Sequence, residues 1–297
     1  MLSRYSLIRK KEDLQPFLDK NDFIISLCDN LSFLMLKSIS PNDNSYVGVC
    51  REKAPILGLY VKMYKFWKEC VSVYLKGHLD VYILYTRILY EAYMKMMYLM
   101  IKADDSLRRF VVASYKTRYE LYTKTDSNSN TFDIVRNNKL LEAMKADGVS
   151  FEDITGIKGK TIHKDNFERI CQEVENKLFT KDELRMIYIA VYGMSSDVIH
   201  SDWGELRQFH LNECENGLLC PNINERTFKH YRAIFPMASI LAKSIQAFVT
   251  YINESKEIIP NGDGLCAMAA EIERIIILGI ENVSEEYDKS PDIFMFE

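Results

Sequence analysis

The sequence predicts an all-α fold, a helical bundle built round a buried central helix at residues 76–102. Three observations predict it. Twelve Gly and seven Pro in 297 residues leave few places to turn, whereas strand-rich folds need frequent turn residues. Apolar residues recur at helical spacing over most of the chain. The stretch Lys76–Lys102, KGHLDVYILYTRILYEAYMKMMYLMIK, is apolar on most sides, the mark of a helix packed by neighbours all round.

Taken in order, residues 10–37 have the helical period, interrupted near Asp19–Asp22. Ser40–Asn44 is a loop by composition. A helix over 53–75 carries Leu57, Tyr60, Val61, Tyr64, Trp67 and Val71 on one face. Lys76-Gly77-His78 breaks the chain, since Gly adopts the left-handed conformation that ends helices, so this helix and the central one form a hairpin. Asp104-Asp105-Ser106 is positioned to cap a helix over 107–124. Shorter helices are expected over 131–145 and 164–178, with irregular chain over 147–164. TKDE at 180–183 has the capping-box pattern and opens a helix to 201. Residues 202–224 read as loop, 225–255 as a long helix kinked at Pro236, and 265–283 as a last amphipathic helix. One domain over 1–297 is expected, with its core at 50–255 and the helices 10–37 and 265–283 peripheral. The acidic tail 284–297, ending in FMF, is flexible or docks on the body or a protein partner. A domain break inside 126–131 is the alternative.

Composition narrows the function classes. A net charge of -4 exerts no global pull towards nucleic acid or an anionic membrane. The charge is uneven, however: residues 1–125 hold 20 Lys/Arg against 13 Asp/Glu, and the rest 18 against 29. A basic face is therefore compatible with the N-terminal half. The seven Cys show no C-x-x-C spacing. Cys28 and Cys70 read as core residues, and Cys214 and Cys220 bracket ENGLL in a loop. The chain thus reads as reduced and cytoplasmic. The start has no continuous apolar signal core, and Val81–Ile101 carries too many charges to span a membrane. No Glu-x-x-His pair, H-E-x-x-H or G-x-S-x-G occurs, so neither a metal site nor a cofactor is expected. GIKGKT at 156–161 fails as a phosphate loop because position 154 is Ile, not Gly.

Two constellations remain. Arg87, Glu91 and Lys95 step by four along the central helix, either as its one wet edge or as a polar site facing inward. Tyr188, Tyr192, Ser196 and His200 likewise form one stripe, with His200 in a last turn where the helix dipole favours its protonated form. A histidine there serves as general acid–base or anion ligand, or simply as a hydrogen-bonded cap.

Arg87, Leu89, Glu91, Ala92, Tyr98 and Leu99, followed by Ser196 and His200, resemble a family of bacterial proteins of unknown function with an R-x-L-x-E-A helix and a later S-x-x-x-H helix. The resemblance covers about residues 50–205. More broadly the chain resembles the HEPN superfamily (higher eukaryotes and prokaryotes nucleotide-binding), helical bundles of toxin and phage-defence systems. That likeness implies a HEPN-like architecture, RNA as partner, a homodimer and metal-independent ribonuclease activity. Arg87 would bind phosphate, Glu91 would orient Arg87 or His200, and His200 would be the acid–base. Arg118, Tyr119, Tyr192 and Ser196 would line the same pocket. The chain departs from the Arg-x4–6-His motif of active HEPN ribonucleases: Arg207 to His210 and Arg226 to His230 are too closely spaced. The competing expectation is a non-catalytic helical module whose Arg–Glu–Ser–His network binds a small anionic ligand or a protein. On either reading Arg87 and Glu91 face inward while Lys95 reaches solvent.

Overall fold

The computed structural model describes residues 5–18, 20–42, 46–102, 104–125, 131–156, 167–178, 203, 206–213, 218–222, 231–254 and 259–289. Among these the structure is helical apart from one short hairpin, and the chain divides into two compact units. The first comprises Met1–Gly48, Tyr60–Tyr93 and Lys181–Glu297, the second Val49–Leu59 and Met94–Thr180.

In the first unit a single 3-10 turn, Tyr5–Leu7, precedes α1 (Lys11–Leu18) and α2 (Asn21–Ile39). Next come α3 (Ala54–Lys76) and α4 (Leu79–Lys102), both of which have residues in each unit. Gly77, at φ 82, stops α3 as its spacing predicts, and its N–H and that of His78 cap the carbonyls of Val73 and Tyr74. The helices α2 and α3 meet through Trp67 Nε1, which donates to the Cys28 carbonyl at 3.4 Å, and through Ser38 Oγ and Tyr60 Oη, 2.8 Å apart. Tyr60 then stacks on Phe248 of the late helix α9 (Tyr231–Glu254), 4.0 Å between ring centres. Pro236 lies inside α9. α9 packs along α10 (Gly262–Lys289), burying Phe235, Leu241, Ile245 and Phe248 completely. Gly279 makes that approach possible, because a Cβ there would overlap the Phe235 ring. The segment Ala233–Glu254 is long and apolar enough to cross a membrane, yet 67% of its apolar window is buried inside the protein.

The second unit holds α5 (Asp104–Thr125), α6 (Thr131–Ala146), α7 (Phe151–Gly156) and α8 (Phe167–Leu178). Val112, Tyr115, Leu140, Met144, Val149 and Ile154 form its core. Lys102 at the end of α4 meets Glu173 of α8 at 2.6 Å.

Several expectations need correction. α7 interrupts the stretch expected to be irregular, because Ser150 and Asp153 cap each other's backbone N–H at 3.1 and 2.7 Å. The expected loop at 202–224 contains a π-helical turn, Leu206–His210, and the antiparallel pair β1 (Leu211–Glu213) and β2 (Leu219–Pro221). Cys220 in β2 is disulfide-bonded, against the expectation of reduced thiols; Cys28, Cys50, Cys70, Cys171 and Cys266 form no disulfide, and Cys214 lies outside the described residues. The helices expected at the periphery contribute fully buried side chains, among them Leu27 and Leu31 of α2 and Ile275 and Ile276 of α10. α10 also runs on through 284–289, while 290–297 lie outside the described residues.

Candidate functional site

The α4 helix is buried through Tyr82, Leu89, Tyr90 and Tyr93, so any charge on it must be paired or reach water. Tyr82 Oη donates to the Ala233 carbonyl of α9 at 2.5 Å, which ties this part of α4 to its neighbour. Thr86 turns its hydroxyl back onto the Ile83 carbonyl at 2.7 Å. Arg87 follows, its side chain only 16% exposed, and donates Nε–H to Glu91 Oε1 at 3.2 Å. Glu91 is 30% exposed. An Arg placed before a Glu is the weaker order for a surface pair on a helix, so burial, not helix electrostatics, accounts for this contact. Lys95 is half-buried, like Arg87 and Glu91, and the expected split between inward and solvent-facing charges does not appear.

The other expected site residues are distributed differently. Tyr192, Ser196 and His200 lie outside the described residues. Arg118 and Tyr119 belong to the second unit, whereas Arg87 and Glu91 belong to the first. Arg118 is exposed, and Tyr119 is half-buried, packed edge-on against Phe151 of α7 at 5.2 Å. Near them Tyr115 Oη donates to Asp147 Oδ2 at 2.5 Å. Burial, then the Asp147 carboxylate, pushes the Tyr115 hydroxyl up to about 12. Arg108 spreads its guanidinium over the carbonyls of Asp147 (3.3 Å) and Gly148 (2.8 Å) and over Asp153 Oδ2 (2.9 Å). Hydrogen bonds from Ser150, with help from Arg108, hold the Asp153 carboxyl below the usual carboxylate range. These groups satisfy one another and pin the turn around Gly148, whose φ is 62.

Two further networks lie in the first unit. Glu273 of α10 accepts from Gln246 Nε2 at 2.6 Å and pairs with Lys243 at 3.2 Å, both on α9. Burial, with Glu273 nearby, raises the Tyr93 hydroxyl above its ordinary value. Arg274 pairs with Glu271 at 2.7 Å and donates to the carbonyls of Tyr5 and Ile8, clamping the N-terminal turn to α10. No sequence spacing signals either, because Gln246 reaches Glu273 across 27 positions and Arg274 reaches Ile8 across 266. Among the described residues no group of three or more His, Cys, Asp or Glu could hold a metal ion.

A family model described as a family of unknown function (DUF5677) matches residues 53–218, more than half of the chain. No curated protein and no solved structure matches.

Proposed function

We propose, from the premise that the chain belongs to the DUF5677 family of unknown function, that Arg87 is the phosphate-holding group of a metal-independent, HEPN-like RNA-cleaving site of the kind found in bacterial toxin and phage-defence systems. The observation that supports the reading is the Arg87 guanidinium itself: its side chain is 16% exposed and its Nε–H donates to Glu91 Oε1 at 3.2 Å. A planar donor fork held in a low-dielectric setting is suited to a phosphate whose charge grows during reaction. His200 supplies the proton chemistry. It accepts the 2′-hydroxyl proton as O2′ attacks phosphorus, and a proton passes to the departing O5′ as the P–O5′ bond breaks. The products are a 2′,3′-cyclic phosphate and a 5′-hydroxyl. Tyr192 and Ser196 take the role of contacts to the rest of the RNA.

The test is cleavage of an oligoribonucleotide by the purified full chain. Cleavage into cyclic-phosphate ends, lost in His200→Ala and on a substrate with a 2′-deoxynucleotide at the scissile position, supports the reading. Cleavage by His200→Ala at the wild-type rate overturns it. A second reading has support in the same pair: Arg87 finds Glu91 within its own helix, as a register-fixing polar network requires. On that reading a non-catalytic module binds a small anion or a protein partner, and the wild-type chain cleaves nothing.

A further inference from the structure

A cleft of about 880 Å³ lies in the first unit between the Tyr5–Leu7 turn, α1 and the start of α2. Its residues take no part in the reading given for Arg87. The floor is polar and buried: Asn30, 7% exposed, donates an amide N–H to the Oη of Tyr5, 4% exposed, at 2.6 Å. That bond leaves the Asn30 Oδ1 as an acceptor and the Tyr5 hydroxyl proton as a donor. The wall is a run of three rings. Tyr5 meets Phe23 edge-on at 6.2 Å, and Phe23 meets Phe17 at 5.4 Å with a tilt of 35°.

The rim decides the charge of what fits. The Lys20 ammonium stands over the Phe17 ring at 5.2 Å, so the electron-rich faces of this wall already hold one cation. Asp13 also lines the cleft, but its Oδ2 accepts from the backbone N–H groups of Arg9 and Lys10. Asp22 is exposed and makes no hydrogen bond or ion pair with a described residue. The N-terminus of α2 opens here and would attract an anion. Asp22, however, stands in its first turn, and Lys20 is engaged with Phe17. Lys20 is committed to Phe17 and Asp13 to its two backbone donors, which leaves Asp22 as the uncommitted charge lining the cleft and favours a cation.

We propose that this cleft binds an organic cation that combines an aromatic ring with a protonated amine. The ammonium sits between Asp22 and the ring of Phe23, and a polar ring substituent reaches the Tyr5–Asn30 floor. The test is calorimetric titration of the full chain with tyramine and, separately, with 4-hydroxyphenylacetate, which keeps the ring and reverses the charge. Tyramine is expected to bind and 4-hydroxyphenylacetate not to. Asp22→Asn, a surface change that leaves the melting temperature unaltered, is expected to weaken tyramine about ten-fold, and Phe23→Leu by a similar factor. Absence of tyramine binding at millimolar concentration, equal binding of both compounds, or full tyramine affinity in Asp22→Asn would each overturn the proposal.

Discussion

The Arg87–Glu91 pair and the Arg108–Asp147–Asp153 cluster both set an arginine beside carboxylate, yet their contacts are of opposite kinds. Arg108 is 46% exposed and spends its fork on two backbone carbonyls and one carboxylate, 39 to 45 positions away in the chain. It fastens a turn. Arg87 is more deeply buried and is held by a carboxylate one helical turn on, through Nε, the edge nearest its own backbone. That contact lies within one turn of a single helix. The comparison separates an arginine that fastens a turn from one whose contact with Glu91 stays on its own helix, the arginine to which the proposed function gives the phosphate.

Breaking the structural cluster is expected to cost the most stability. Arg108→Ala removes the fork from the turn and, discounted for its exposure, is expected to cost about 1–2 kcal/mol in urea denaturation. Tyr115→Phe removes the hydrogen bond to Asp147 and costs about 1 kcal/mol by the same measurement. Ser150→Ala uncaps α7 at a cost of up to about 1 kcal/mol, with faster amide exchange confined to 151–156. Glu91→Gln, in the other region, keeps an acceptor for the Arg87 Nε–H and is expected to change stability by less than about 1 kcal/mol; a loss as large as that of Arg108→Ala would place the Arg87 pair with the structural cluster. The pH response sharpens the contrast further. Tyr115 is raised to about 12 in the folded protein, so its contribution is complete below its unfolded value near 10 and is lost as pH climbs through about 12. Alkaline denaturation curves of wild type and Tyr115→Phe should converge over that window.

Much of the all-helical fold is legible locally. The break at Gly77, the helices either side of it and the interruption between α1 and α2 all follow from apolar period and glycine conformation within a few residues. The Arg87–Glu91 contact is legible for the same reason, being one turn long. What escapes is set by distance along the chain. Nothing near Arg274 announces that it will hold the carbonyls of Tyr5 and Ile8, and nothing near Lys243 announces Glu273. The burial of α2 and α10 likewise depends on partners that spacing within each helix does not reveal. α7 is a different kind of miss: Ser150 and Asp153 carry a capping pattern in plain view, outweighed by the polar, glycine-containing surroundings. Lys95 shows the limit of charge as a guide, since a long stem lets a cationic residue lie half-buried.

The most direct measurement compares Arg87→Ala and Arg108→Ala side by side, scoring RNA cleavage and urea-denaturation stability on the same preparations. Arg87→Ala is expected to lose cleavage by two or more orders of magnitude, about 3 kcal/mol of transition-state stabilisation, while its unfolding midpoint stays near wild type. Arg108→Ala is expected to keep cleavage and lose stability. Wild-type cleavage in Arg87→Ala, or a stability loss there that matches Arg108→Ala, would contradict the account.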